Sequence, residues 1–74
     1  MCFNYSALNG KIKEVYNSQY AFAYDMKMSE RTLSLKLNNK RNWKQTEMFK
    51  ACELLGIPIE EMPIYFFTYE VQND

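Results

Sequence analysis

Two serines eleven positions apart, Ser18 and Ser29, each stand directly before a short amphipathic segment, and this doubled pattern of cap and helix constrains the chain most. A serine there accepts a hydrogen bond from an early helical N–H that the helix itself leaves unpaired. Ser18 predicts a helix over Gln19–Met26, with Phe22, Ala23 and Met26 inward and Gln19 at the exposed first turn. Ser29, with Thr32 three positions on, predicts a second helix over Ser29–Asn38, whose core-facing pair is Leu33 and Leu37 at i, i+4. Only Lys27 and Met28 lie between the two, so the turn is tight, and the small side chain of Ala23 lets the helices cross closely.

The remaining periodicity surrounds this pair with further helices. Leu8, Ile12 and Val15 share one face and predict a helix over Ser6–Tyr16, weakened by roughly 1 kcal/mol at Gly10. Asn38-Asn39 ends the second capped helix, because asparagine tolerates the left-handed backbone favoured there. A basic loop, Lys40–Lys44, carries the single tryptophan, Trp43, read as a packing residue. Met48, Ala51, Cys52 and Leu55 then line a helix from Gln45 or Thr46 to Leu55 that stops at Gly56, with Phe49 off its apolar face. Pro58–Met62 suits one more helical turn. Beyond Pro63 the run Ile64–Val71 is aromatic and β-branched, which predicts an extended segment. The expectation is a mainly all-α domain of four to five helices over residues 1–63, followed by an apolar tail over 64–74.

Residue inventory narrows the function. The chain has no histidine, two cysteines far apart at Cys2 and Cys52, and only two glycines, Gly10 and Gly56. It therefore lacks the usual general base, a Cys/His metal set and a phosphate-cradling glycine loop. No enzyme activity, cofactor or metal is expected, and Cys52 reads as a small buried hydrophobe. No apolar run approaches the ~20 residues of a membrane span. A cytoplasmic protein follows as the expectation.

The formal net charge is zero, but it conceals an asymmetry. Residues 27–44 carry Lys27, Arg31, Lys36, Lys40, Arg41 and Lys44 against Glu30 alone, a net of +5. Residues 45–74 carry Lys50 against Glu47, Glu53, Glu60, Glu61, Glu70 and Asp74, a net of −5. One end of such a molecule attracts phosphate while the other is repelled, so the field orients it before contact.

The stretch from Gln19 to Asn38, continued through Trp43-Lys44-Gln45, Ala51–Ile57 and Tyr65-Phe66-Phe67, resembles the Cro and lambda-repressor helix-turn-helix family. It is close to small phage-associated Cro-like proteins of Gram-positive bacteria. That resemblance implies a lambda-repressor-like domain that represses transcription by binding operator DNA in the major groove, in a bacterial host and at its nucleoid. Carried over by position, Ser29, Glu30, Arg31, Ser34 and Leu35 would meet base edges, and Gln19 a phosphate. Chemistry agrees, since arginine can pair with guanine, glutamate with cytosine N4, and leucine with the thymine methyl. Lys27, Lys36, Asn38, Lys40, Arg41 and Lys44 suit phosphate contacts, which set register. The family usually has glycine where this chain has Lys27 and Asn39.

The tail offers apolar side chains on both faces, and the resemblance implies a homodimer through Tyr65, Phe66, Phe67 and Tyr69. The same tail could instead fold back over Phe3, Tyr5 and the first helix. A second function class also fits: a protein-interaction module, antirepressor-like or antitoxin-like, on the same fold.

Overall fold

The computed structural model describes residues 2–69, and within them the chain forms five α-helices and a 3-10 turn. These are α1 (Ser6–Tyr16), α2 (Gln19–Met26), α3 (Glu30–Leu37), α4 (Gln45–Leu55), the 3-10 turn Ile59–Glu61 and α5 (Met62–Phe66). The first four and the short turn lie where periodicity and caps place them. Ser18 Oγ accepts from the Ala21 N–H at 3.2 Å and Ser29 Oγ from the Thr32 N–H at 3.0 Å, so each serine does start its helix.

Besides Asn17 (φ 68°), which ends α1, three helix ends turn on a left-handed residue: Lys27 (φ 60°), Asn39 (φ 62°) and Gly56 (φ 70°). At each, the next N–H bonds to the carbonyl five residues back: Met28 to Ala23 at 3.0 Å, Lys40 to Leu35 at 2.8 Å, and Ile57 to Cys52 at 2.9 Å. This is the Schellman closure, which satisfies carbonyls the helix leaves open. Lysine carries a Cβ penalty that glycine avoids and asparagine softens. Lys27→Gly should therefore raise stability by about 1 kcal/mol, read as a higher urea midpoint at unchanged m-value.

The core gathers Leu8 and Ile12 from α1, Phe22, Ala23 and Met26 from α2, Leu33 and Leu37 from α3, and Ala51, Cys52 and Leu55 from α4. Burial pushes the Cys52 thiol pKa up, as befits a small hydrophobe. Val15, expected inside, is 45% exposed. Tyr16 takes that place, edge-on to Phe22 at 5.3 Å, with its hydroxyl donating to Asp25 Oδ2 at 2.8 Å. One step further round the helix keeps Tyr16 above Ile12 at i, i+4, where its ring packs and its hydroxyl stays wet.

The extended tail is corrected by α5. Met62 and Phe66 fall one turn apart and both pack inward, so burial overrides the β-propensity of Ile64-Tyr65-Phe66. Pro63 sits at the start of the helix, where its missing N–H is harmless, and the Thr68 hydroxyl closes the end on the Ile64 carbonyl at 2.7 Å. Phe66 is 1% exposed and meets Trp43 edge-to-face at 5.1 Å. After α5 the chain returns to its beginning. Asn4 N–H bonds the Thr68 carbonyl at 2.6 Å, and Phe3 pairs antiparallel with Tyr69, their rings stacked at 5.2 Å. The other edge of Phe3 is held by one side chain: Asn39 accepts from its N–H and donates to its carbonyl, both at 2.9 Å. The division at residue 63 thus cuts through a packed unit. The expectation for Glu70 and Val71 lies outside the described residues.

Candidate functional site

α2, the turn Lys27–Ser29 and α3 form a helix-turn-helix, with α3 packed chiefly on α2. Leu33 and Leu37 point inward, so the opposite side of α3 must face solvent. Ser29, Glu30 and Arg31 are exposed there, while Ser34 and Leu35 are half-buried. The Ser29 hydroxyl is already committed, to the Thr32 N–H and to Thr32 Oγ1 at 2.9 Å.

Of the positions assigned to phosphate, Gln19, Lys27, Asn38, Lys40, Arg41 and Lys44 are exposed. Gln19 Nε2 reaches Asn9 Oδ1 at 3.4 Å, and Asn38 Nδ2 is held by the Ser34 carbonyl at 2.7 Å. Lys36 is a correction. Only 5% exposed, its ammonium lies 2.9 Å from Glu47 Oε1 on α4, donates to the Asn42 carbonyl at 2.9 Å, and sits over the Trp43 ring at 5.9 Å from its centroid. It is inside because α3 must be fastened to the 38–44 loop and α4, and one long cation reaches both. The same Glu47 oxygen accepts from the Lys44 N–H at 2.9 Å, capping α4. Desolvation acts to raise the Glu47 pKa, but the bonds from Lys44 and Lys36 outweigh it and hold the carboxyl below its ordinary range.

The tail residues divide in the same way. Phe66 is in the core and cannot serve a partner; Tyr65 is half-buried against it, and Phe67 and Tyr69 remain exposed beside Phe3.

Two site residues escaped the sequence reading. Tyr20 and Tyr24 stand one turn apart on the outer face of α2 and are 65% and 75% exposed. Their signal was present, since placing Phe22, Ala23 and Met26 inward leaves 20 and 24 outward. With Ala23, Met28, Ser29 and Glu30 they line an open notch of about 190 Å³ between α2 and the start of α3. Lys27 and Arg31 adjoin it in sequence.

The family model described as "Protein of unknown function (DUF739)" matches residues 1–69. This chain belongs to that family. Among solved structures, the chain is similar to the solution structure of the modulator of repression (MOR) of the temperate bacteriophage TP901-1 from Lactococcus lactis. The two share 47% identity over 97% of each chain, with a TM-score of 0.80. No curated protein matches. The all-helical fold and the phage regulatory class expected from the sequence are both met; these matches carry no Cro assignment. Among the described residues, no helix is long and apolar enough to cross a membrane.

Proposed function

We propose that this protein modulates repression in a phage-type transcription switch by binding a repressor protein through the outer face of its helix-turn-helix. The name of the similar phage protein supports the role, and the surface chemistry supports the ligand class. The observation that carries it is the exposed pair Tyr20 and Tyr24 on α2, with Arg31 exposed on α3 while Lys36 is withdrawn into its ion pair with Glu47. Tyrosine and arginine are the residues that concentrate binding energy between proteins, whereas lysine is depleted there. A reporter behind an operator, silenced by the repressor of phage TP901-1, tests this. Co-expression of the chain should restore expression, while the chain alone should leave a random DNA pool unenriched. Unchanged silencing together with an enriched DNA sequence would sink the proposal.

Operator DNA is the second reading, favoured by the exposure of Lys27, Arg31, Lys40, Arg41 and Lys44 around α3. On that reading Arg31→Ala weakens specific binding by roughly 1–3 kcal/mol and relaxes sequence preference, whereas Lys40→Ala lowers the salt slope by about one at every sequence. Equal small losses from both would remove base reading by Arg31. A homodimer on that reading would have to use Phe67 and Tyr69, because Phe66 is already enclosed.

A further inference from the structure

We infer that the notch between α2 and α3 is the anchor site for that partner, and that it takes an apolar side chain from a partner segment flanked by carboxylates. The inference rests on the proposed function and gives it a surface and a chemistry. The walls are the rings of Tyr20 and Tyr24, which supply wide contact at little conformational cost because each has only two side-chain torsions. Ala23 contributes a small residue, itself 1% exposed, and Met28 an unbranched side chain that adapts to what enters.

The polar lining makes few demands. The Ser29 hydroxyl is spent on the α3 cap and on Thr32, so it does not call for a polar occupant. At about 190 Å³ the space suits one side chain rather than a whole helix. A phosphate placed there would meet two aromatic rings and Glu30, which gives the backbone of nucleic acid no reason to enter.

Charge defines what flanks the anchor. Lys27 and Arg31 are exposed on either side of Met28–Glu30 in the chain. Of the two nearby carboxylates, Asp25 already accepts the Tyr16 hydroxyl at 2.8 Å, leaving Glu30 as the free anion. Over residues 27–44 the balance is +5, with Lys36 alone among the cations neutralised inside. An acidic flank on the partner is the complement of these exposed cations and of the +5 segment that carries them. Lys27 also occupies a left-handed conformation that glycine would adopt more cheaply, and strain kept beside a notch is common where a surface binds.

Calorimetric titration with the purified repressor of phage TP901-1 as the probe tests this. Tyr24→Ala should weaken binding about 10- to 30-fold, and Tyr24→Phe should recover most of it, because the ring and not the hydroxyl fills the role. Arg31→Glu should weaken binding and flatten its salt dependence. Phe67→Ala, near the chain ends, should bind as the parent does. Because Tyr24 is so exposed, its variants should keep the parent's circular dichroism and melting curve. Parent binding with Tyr20→Ala and Tyr24→Ala within about twofold of it would overturn the notch while leaving the proposed function standing. Failure of the parent itself to bind would overturn the proposed function, and the notch with it. Tight, Tyr24-dependent binding of a random DNA duplex by the parent would overturn the protein partner.

Discussion

Replacing Phe66 with alanine is expected to lower stability by about 3–5 kcal/mol. A domain this small commonly has only about 5 kcal/mol in hand, so the variant should be substantially unfolded at room temperature. The reason lies in what surrounds the ring. Phe66 is 1% exposed, touches Trp43 edge-on, and joins α5 to α1 and α4. The space it would leave is bordered by the bulky rings of Trp43 and Tyr5, which lie 6.4 Å apart. Urea unfolding followed by tryptophan fluorescence measures the loss directly. A change under 1 kcal/mol would mean that α5 is detached in solution and the tail is free for other uses. For the same reason a chain cut after Pro63 cannot test dimerisation, since it removes part of the core.

The second large effect belongs to Lys36 and Glu47. Glu47→Ala leaves a lysine 5% exposed with no anion, only the Asn42 carbonyl and the Trp43 ring, which should cost about 3 kcal/mol or more. Lys36→Met together with Glu47→Leu should recover most of this, since no charge is then stranded. The pair also predicts a pH limb. Glu47 titrates lower when folded than when unfolded, so its contribution is full above the ordinary carboxylate range and disappears as pH falls through the folded value. Urea midpoints should therefore drop on acidification in the parent more steeply than in the double variant. Parallel acid limbs in the two proteins would place the linkage elsewhere.

What the sequence disclosed follows from the range of the forces involved. As helix caps, Ser18, Ser29, Asn39 and Gly56 act within a few residues of themselves, and the helix boundaries they imply agree with the structure, whereas the reach of the Asn39 side chain to Phe3 has no local signal. Lys36 could not be placed that way. Its partner lies on another helix, and a lysine on the polar side of an amphipathic segment looks the same in sequence whether it snorkels outward or reaches across. α5 fails locally for a similar reason: its residues favour strand, and only the distant Tyr5 and Trp43 supply the surroundings that make a helix better. The clearest omission is Tyr20 and Tyr24. They follow by subtraction from the inward face of α2, but the notch they form with Met28–Glu30 depends on how α2 and α3 cross, which no local pattern records.

The clamp at the chain ends bears on when this protein can fold during synthesis. Phe3 is gripped by Asn39 on one edge and by the segment Thr68–Tyr69 on the other, and Trp43 is closed over by Phe66. On a ribosome, a chain that has emerged from the tunnel only as far as α4 would have the whole helix-turn-helix outside, yet its tryptophan would lack its lid and Phe3 one of its two edges. Such a chain can build the recognition surface locally but cannot lock it until residue 68 has emerged. The protein should therefore become protease-resistant only once residue 68 has emerged, in a single late step.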